Sequence, residues 1–392
     1  MPPHRRLRLP RPLTPFVGRE RELADLERRL ADPACRVLTL IGPGGFGKTR
    51  LALQLGAGWP EDVLYVDLQA RPGPRPLAAD IADAGRHPPP AGVTLEEHLL
   101  QDLRERRCLV VLDGFERLLD HHPAAEPFAF LERLLEAAPG VKLLVASREA
   151  LSLLGEWRYP VSGLASPPPD MDPRQPAAME FEAVRLFVQA AQRVRPDFSP
   201  EDEAAGIIRL CQLVEGMPLA LELAAAWTTT LTCAAIADEI AGGAELGHAG
   251  LRNLPAQHHS VQAVFRQAWE RLAPEEQQVF RRLAVFRPGF SPAAAAAVAE
   301  ATRPRLGALL DKAMLRRDAQ GRYALHELLR QFAEERLAEA AETDRFQARH
   351  AEYYAECLRQ WRADLKGGRQ AEAVRRIATE IDNIRAAWDW LV

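Results

Sequence analysis

The sequence has few cysteines and no long apolar run, and each shortage excludes a class of protein. The five cysteines lie far apart without Cys-x-x-Cys spacing, which argues against a zinc motif or disulfide framework and is typical of a reduced cytoplasmic protein. No apolar run reaches the roughly 18 residues needed to span a bilayer. The basic N-terminus lacks the apolar segment of a signal peptide. We therefore expect a cytoplasmic protein without a membrane partner.

Charge and length set broad limits. The chain carries 50 Lys and Arg against 54 Asp and Glu, for a formal net charge of −4. A charge of this size neither indicates nor excludes nucleic acid as the main partner. Lysine is scarce, because only Lys48, Lys142, Lys312 and Lys366 occur among 392 residues. This length is sufficient for roughly two to four domains with their own cores.

The first part of the chain alternates short β-branched or leucine-rich runs with helical stretches. This alternation predicts a parallel sheet of the α/β class. Thr94 and Glu97 form a capping box at the start of one helix. We predict five strands at Val37–Gly42, Val63–Leu68, Cys108–Asp113, Lys142–Ser147 and Trp157–Val161.

A proline-rich connector at Leu164–Pro176 separates this part from an all-helical region. Ser199 and Pro200 predict a helix start, as cap and first helical residue. Gly216–Trp227 reads as a turn followed by a buried helix. We therefore place a domain boundary at the connector.

A third region begins near Leu254. Three helical stretches precede two short β-like runs about a turn at Asp318–Gly321, and another helix follows. Three helices, a hairpin and a closing helix indicate a winged helix. From Asp344 to Val392 the pattern is helical again and ends with apolar residues, so this stretch either packs back on the body or leads into a helical array.

The strongest signal for chemistry is GPGGFGKT, which follows a predicted strand and begins a predicted helix. Glycines in such a loop allow backbone N–H groups to turn towards a phosphate. Lys48 adds positive charge for the β- and γ-phosphates, and Thr49 offers a hydroxyl to Mg²⁺. The motif predicts ATP or ADP with Mg²⁺, bound by Gly42, Pro43, Gly44, Gly45, Phe46, Gly47, Lys48 and Thr49.

Three further side chains stand where phosphate chemistry needs them. Asp113 ends a predicted strand, and in proteins with this loop an acid at that place holds Mg²⁺. The alternative is an acid that only caps the end of the strand. Glu116 could polarise the attacking water or be a surface acid at a helix start. Arg148 could contact a γ-phosphate or belong to a surface ion pair. With Lys48, these residues are the candidate catalytic set.

Six segments occur in the order and with the spacing of an NB-ARC module. They are FVGRERELADLERRL, IGPGGFGKTRLAL, VVLDGFERLL, LLVASRE, EGMPLALELAAA and LHELLRQFAEERL. The chain resembles the STAND class of signal-transduction ATPases, which includes apoptotic scaffolds, plant disease-resistance proteins and large bacterial regulators. The resemblance runs from about Pro15 to Leu337. The tail RQAEAVRRIATEIDNIRAAWDWL is similar to the start of tetratricopeptide-type repeats.

The resemblance implies a role for individual residues. It places residues 42–50, from Gly42 to Arg50, on the phosphates and Asp113 on Mg²⁺. It makes Arg148 the γ-phosphate sensor. The residues implied to lie on the adenine or ribose are Val17, Gly18, Arg19 and Pro218.

His326 corresponds to the winged-helix histidine of the family, which touches the β-phosphate of ADP in the closed state. It lies at a predicted helix start and off the apolar stripe of that helix. A helix start is electropositive, and a histidine there adds a donor. A solvent-facing histidine remains the alternative. The family usually has Met-His-Asp here, and often has Asn or Asp where this chain has Gly114, which puts the rate of hydrolysis in doubt.

The resemblance implies a nucleotide-controlled switch of signal transduction. ADP would hold the closed form, exchange for ATP would open it to self-association, and slow hydrolysis would reset it. An unknown inducer would act through C-terminal repeats on an unknown effector. The alternatives are a steadily cycling ATPase that remodels a client, or a winged-helix regulator that binds DNA. DNA is disfavoured for this chain alone, because its third winged-helix stretch, Pro304–Leu315, has only Arg305 and Lys312 as basic residues.

The expected organisation is a basic linker at 1–15, a P-loop domain at 16–163 and a helical domain at 164–250. A winged helix at 251–340 and the start of a helical region at 341–392 follow. The paired histidines at 121–122 and 258–259 lack partners at metal-ligand spacing, and we interpret them as loop residues. The basic residues of the linker are interpreted as solvated, with a nucleic-acid arm as the alternative: Arg5, Arg6, Arg8 and Arg11.

Overall fold

The protein forms two compact units in a computed structural model that describes residues 9–71, 75–85, 92–119, 125–172, 175–242, 261–287, 289–365 and 368–391. The first unit comprises the chain up to Ser166 with Met179–Gln189 and Met217–Leu219. The second comprises Pro167–Ala178, Ala190–Gly216 and the chain from Ala220. The boundary predicted between 163 and 164 lies near the first division. The boundary predicted between 250 and 251 falls outside the described residues.

The first unit is built on a five-stranded parallel sheet in the order β2-β3-β4-β1-β5. All five predicted strands are present, each within one residue of its expected bounds. The central strands are apolar on both faces and buried, as expected for a parallel sheet covered by helices. The strands are β1 (Val37–Ile41), β2 (Asp62–Asp67), β3 (Cys108–Asp113), β4 (Val141–Ser147) and β5 (Glu156–Pro160).

The helices of this unit connect the parallel strands. The capping box predicted for Thr94 and Glu97 is confirmed, since each residue bonds the backbone of the other. Side chains of α3, α4 and α6 pack with one face of the sheet in a single apolar cluster. The helices are α1 (Glu20–Ala31), α2 (Lys48–Gly58), α3 (Leu77–Gly85), α4 (Leu95–Leu103), α5 (Glu116–Leu119) and α6 (Ala125–Ala137).

The chain after the sheet is helical, as predicted. The helix start expected at Ser199 and Pro200 lies too early in the chain. The Ser199 hydroxyl accepts from Asp202 N–H, but the residues that follow form a turn and the helix begins only at Ala204. The backbone N–H of Cys233 donates to the carboxylate of Glu203, just before that helix. The next helices are α7 (Glu182–Val194), α8 (Ala204–Leu213), α9 (Pro218–Trp227) and α10 (Cys233–Ala241).

Four α-helices, a hairpin and a closing helix follow in the described part of the second unit, and the last three of the four are those predicted from the sequence. The predicted turn at Asp318–Gly321 joins two antiparallel strands, and a third short strand completes a small sheet. Ser291 caps the second predicted helix, since its hydroxyl accepts from Ala294 N–H. The elements are α11 (Val261–Glu270), α12 (Pro274–Arg282), β6 (Gly289–Phe290), α13 (Pro292–Ala299), α14 (Arg303–Asp311), β7 (Arg316–Arg317), β8 (Tyr323–Ala324) and α15 (Glu327–Glu339).

The last described helices are α16 (Thr343–Leu365), α17 (Gln370–Thr379) and α18 (Ile381–Leu391). They pack back on the second unit through a buried polar contact: the Asn383 amide accepts from Arg287 N–H at 2.7 Å and donates to Gly289 O at 2.9 Å. Trp388 and Trp390 of α18 remain exposed. None of the helices in the described ranges combines the length and apolar character required to cross a membrane.

Candidate nucleotide-binding site

The GPGGFGKT segment forms a loop between β1 and α2, at the carboxyl edge of the sheet. Gly45 and Gly47 have φ of 81° and 83°, in the left-handed region that favours glycine. The Lys48 ammonium donates to Gly42 O at 2.7 Å and to Pro43 O at 2.9 Å. Burial lowers the pKa of Lys48 to about 8, against the charge of Glu116. The loop therefore encloses its lysine with its own carbonyl groups.

The two predicted Mg²⁺ ligands meet beside this loop. Thr49 Oγ1 donates to Asp113 Oδ1 at 2.8 Å, and Asp113 is only 5% exposed. Burial raises the pKa of Asp113 to about 6, and hydrogen bonds from Tyr65 and Thr49 oppose that rise. A hydroxyl and a carboxylate at this separation are oxygen donors of the kind that Mg²⁺ prefers. The donor set fits the ion.

The other oxygen of Asp113 accepts from a residue that the sequence did not indicate. Tyr65 of β2 donates its hydroxyl to Asp113 Oδ2 at 2.8 Å. The partner strands run in parallel with Tyr65 opposite Val111, two residues before Asp113. An aromatic residue in a strand reads as packing, so only the register of the neighbouring strands reveals this contact.

Glu116 and Arg148 form a buried ion pair, so neither is a surface residue. Arg148 N–H donates to Glu116 Oε2 at 3.3 Å, and Arg148 Nε lies 3.3 Å from Oε1. The two residues are 5% and 6% exposed. The charge of Glu116 also favours the protonated form of Lys48. The structure thus brings together all four members of the predicted catalytic set, Lys48, Asp113, Glu116 and Arg148, at one edge of the sheet.

Gly114, which follows Asp113, has a backbone conformation that favours glycine. Gly114 has φ of 78°, and a Cβ built on it would lie 2.4 Å from Gln69 Cγ. Gln69 follows β2 and occupies the space that a side chain at 114 would need. Its amide nitrogen lies 3.1 Å from the same point. The side chain of Gln69, just after β2, therefore places an amide beside Gly114.

Residues 17–19 reach the phosphate loop by way of Arg19. Arg19 is 2% exposed and donates to Phe46 O at 2.9 Å and to Ser162 O at 2.8 Å. Burial lowers the pKa of Arg19, against the charge of Glu22. Arg19 N–H also donates to Glu182 at 2.7 Å, and the same carboxylate would lie within 3 Å of a Cβ on Gly18. Glu182, the first residue of α7, is a second contact that the sequence did not indicate.

The side chain of Arg50 contacts the segment that precedes α1. Its guanidinium donates to the hydroxyl and carbonyl of Thr14 and to Pro15 O at distances of 2.6–2.8 Å. The side chain therefore fastens the segment that leads into residues 16–19. The backbone of Arg50 lies in the first turn of α2, directly after the phosphate loop.

The segment containing Pro218 lies directly on the phosphate loop. Leu219 N–H donates to Gly45 O at 3.2 Å. A Cβ on Gly45 would lie 2.6 Å from Met217 Cε, and one on Gly47 would lie 3.8 Å from Pro218 Cγ. Residues 217–219 thus couple the start of α9 to the loop, and they leave no room for a side chain at Gly45.

His326 lies in the second unit and is 6% exposed, so it is not a solvent-facing histidine there. It is the N-cap of α15, and its Nδ1 accepts from Leu328 N–H at 3.3 Å. Burial lowers the pKa of His326, and the charge of Glu215 opposes that shift. Glu215 precedes the Gly-Met-Pro turn and accepts from Glu327 N–H at 2.7 Å. Two side chains therefore occupy the N-terminus of α15.

Several sequence interpretations concern residues that the structure does not describe. Arg5, Arg6 and Arg8 of the basic linker and both histidine pairs, at 121–122 and 258–259, lie outside the described ranges. Of that linker, Arg11 is described and is exposed.

Comparison with known proteins shows the family to which the chain belongs. The AAA domain family matches residues 32–154, which contain the loop, Asp113 and Arg148. The chain is 33% identical over 361 residues to the uncharacterized protein Rv0894 of Mycobacterium tuberculosis, and this match covers 88% of the chain and 86% of that protein. The chain belongs to the Rv0894 family. Its first unit is an AAA-type P-loop NTPase domain.

Other members of this wider group are longer. The chain is 34% identical over 370 residues to Rv0890c of Mycobacterium tuberculosis, named a putative HTH-type transcriptional regulator. That match covers 91% of the chain but 40% of the relative, so the chain spans less than half of Rv0890c. Among solved structures, the STAND protein PH0952 of Pyrococcus horikoshii, which has a tetratricopeptide repeat sensor, matches 96% of this chain and 52% of its own, at 17% identity and a TM-score of 0.35. A likeness at that level carries no argument.

Proposed function

We propose that this member of the Rv0894 family is an ADP- and ATP-binding switch of signal transduction, of the STAND class with an NB-ARC module. ADP holds a closed form, and exchange for ATP opens it to self-association. The observation that carries the proposal is the contact of residues 217–219 with the phosphate loop. A helix that bonds the loop backbone at Gly45 responds to whatever the loop binds.

The nucleotide is held by residues of the first unit. Residues 42–50 bind the phosphates, Val17, Gly18, Arg19 and Pro218 lie on the adenine and ribose, and Thr49 with Asp113 holds Mg²⁺. When bound, Mg²⁺ neutralises phosphate charge and orients the phosphates. Lys48 exchanges its bonds to the loop carbonyls for bonds to phosphate oxygens. This exchange is favourable because a charged acceptor forms the stronger hydrogen bond.

Hydrolysis in this account is slow. Glu116 is the group that would polarise the attacking water, and its carboxylate is engaged by Arg148. Arg148 is also the group that would sense the γ-phosphate. To bind Arg148, the γ-phosphate must therefore compete with its buried partner Glu116. Breaking one side of a buried pair costs about 3–5 kcal/mol. An acid and a sensor that hold each other favour a switch over a rapidly cycling enzyme.

His326 belongs to the ADP-bound form in this account. The helix N-terminus that it caps is electropositive, and the Glu327 N–H there donates to the carboxylate of Glu215. The β-phosphate of ADP is an anion of the same kind. The elements from α11 to α15 form a winged helix, and α16 to α18 lead into tetratricopeptide-type repeats that sense an inducer. The four-domain organisation predicted from the sequence is part of this proposal.

A regulator of transcription is the second candidate, favoured by the name of Rv0890c. Its DNA-binding form would use α14 and the adjoining hairpin. Arg303 and Arg305 are the basic residues of that helix. In the hairpin Arg317 is exposed, while Arg316 is paired with Glu215 and Arg322 with Glu380. So few phosphate contacts would give weak binding with a shallow dependence on salt. A regulatory output through an additional effector fits these residues better than direct DNA binding.

The experiment compares nucleotide content with turnover on one preparation. Purified protein is denatured, released nucleotide is quantified by chromatography, and steady-state ATP hydrolysis is measured beside it. Near-stoichiometric ADP with turnover far below one per second supports the switch. An empty site with brisk turnover supports a cycling ATPase that remodels a client. DNA binding that survives Lys48→Ala without loss supports the regulator.

A further inference from the structure

Tyr65 is a half-buried tyrosine of the edge strand β2, and its hydroxyl donates to Asp113, the acid of the proposed Mg²⁺ site. Tyr65 and Asp113 lie on neighbouring parallel strands, in the register that pairs Tyr65 with Val111. Since side chains two residues apart share a face, Tyr65 and Asp113 are diagonal neighbours on one face of the sheet. Only a long side chain spans that diagonal, and the tyrosine ring does so with its hydroxyl 2.8 Å from Oδ2.

The two oxygens of Asp113 have different hydroxyl partners. Oδ1 accepts from Thr49 and Oδ2 accepts from Tyr65, both at 2.8 Å. A carboxylate that is 5% exposed requires such donors, because an unsatisfied buried charge is costly. A phenol is protonated at neutral pH, so Tyr65 is a donor to Oδ2.

These two donors are not equivalent when Mg²⁺ binds. The Thr49 hydroxyl must then present a lone pair to the ion while its proton stays on Asp113, so its direction is set by the ion as well as by the acid. Tyr65 lies on the opposite oxygen, away from Thr49, and can keep its bond in both situations. We propose that Tyr65 is a positioning residue that holds Asp113 Oδ2, so that Oδ1 faces Thr49 and the phosphate loop. This inference rests on the proposed nucleotide function.

A purely structural role for Tyr65 makes a different prediction. If the hydroxyl only satisfies a buried carboxylate, its removal lowers stability and leaves the response to Mg²⁺ unchanged. If it positions Asp113, its removal weakens the contribution of Mg²⁺ to nucleotide binding, and binding without Mg²⁺ is unaffected. The dependence of nucleotide affinity on Mg²⁺ concentration therefore separates the two roles.

The test uses the full chain and titrates a non-hydrolysable ATP analogue by calorimetry, first in EDTA and then over a range of Mg²⁺ concentrations. The variants are Tyr65→Phe, which keeps the ring, and Tyr65→Leu, which removes it. Tyr159→Phe on edge strand β5 is the matched control, since it removes a half-buried phenol from the same sheet. Urea unfolding without nucleotide reports the stability of each protein.

We expect affinity in EDTA to stay within about twofold of wild type in every variant. The Mg²⁺ concentration that gives half of the affinity gain should rise roughly tenfold in both Tyr65 variants, as for a lost hydrogen bond to a charged group. It should not change in Tyr159→Phe. A wild-type Mg²⁺ midpoint in the Tyr65 variants, with or without lower stability, would overturn the inference. No binding of the analogue by wild-type protein would overturn the proposed function itself.

Discussion

Replacing His326 by alanine and by asparagine separates two roles that the proposed switch combines in one side chain. The first role is local. His326 caps α15, and its Nδ1 accepts from Leu328 N–H at 3.3 Å. Loss of an N-cap acceptor costs about 1 kcal/mol, and asparagine is among the best residues at this position. The free energy of unfolding should therefore fall by about 1 kcal/mol in His326→Ala and by a few tenths at most in His326→Asn.

The second role concerns ADP. With Nδ1 as an acceptor, the proton of the neutral ring lies on Nε2, and burial lowers the pKa of His326 so that this form persists at neutral pH. The ring also forms a hydrogen bond with the Val214 backbone, and the phosphate would replace that neutral partner. A hydrogen bond to a charged group is worth about 1.5–3 kcal/mol against about 1 kcal/mol for a neutral one, so the exchange should gain roughly 2- to 30-fold in affinity. Since neither alanine nor asparagine presents this ring nitrogen, both variants should release ADP faster by that factor.

The assay is stopped-flow release of a fluorescent ADP, beside urea unfolding and light scattering on the same three proteins. Faster release and increased self-association in both variants, with lower stability only in His326→Ala, agree with the proposal. Release at the wild-type rate in His326→Asn would refute it, because the histidine would then act only as a helix cap. The matched stability of His326→Asn ensures that a change in release is not a consequence of unfolding.

Three other perturbations follow from the structure. Lys48→Ala should lower nucleotide affinity at least about 100-fold, measured by calorimetry, since it removes the one charge that the phosphate loop holds against its ligand; retained affinity would mean that the loop is not the phosphate site. Gly114→Asn should destabilise by about 1–3 kcal/mol through crowding with Gln69, and Gln69→Ala in the same chain should restore most of that loss; independent, additive effects in urea unfolding would contradict the packing. Burial lowers the pKa of His350 from 6.5 to about 4, so the folded form resists protonation: the stability contribution of the neutral ring is complete above pH 6.5 and is lost as the pH falls towards 4, by about 3 kcal/mol in total. His350→Gln should lack this part of the acid sensitivity, and an unchanged pH profile of unfolding would show that the histidine is not the cause.

The strands that carry the candidate site follow from local sequence. Val37–Gly42 and Cys108–Asp113 are apolar runs that end in residues suited to phosphate and Mg²⁺, so strand, loop and acid could be predicted together. The parallel sheet brings the ends of different strands to one edge, which explains why Arg148 lies there beside Glu116. The failures have physical reasons too. Ser199 has the sequence of a helix cap, but its hydroxyl closes a turn that precedes the helix.

The contacts that escaped prediction are those between elements distant in sequence. Tyr65 and Asp113 are 48 residues apart, and Arg19 and Glu182 are 163 apart. Neither Tyr65 nor Glu182 has a local signal, because a tyrosine in a strand and a glutamate at a helix start are ordinary. The need for glycine at 114 also depends on a residue distant in sequence, because Gln69 fills the space that a side chain there would occupy.

The most direct test of the switch is the mass of the protein in its two nucleotide states. Wild-type protein is stripped of nucleotide, reloaded with ADP or with a non-hydrolysable ATP analogue in Mg²⁺, and measured by size-exclusion chromatography with light scattering. Lys48→Ala, treated in the same way, controls for effects of the nucleotide that do not depend on the site. The account predicts a smaller species with ADP and a larger assembly with the analogue, and no difference in Lys48→Ala. The same mass in both nucleotide states of the wild-type protein would contradict it.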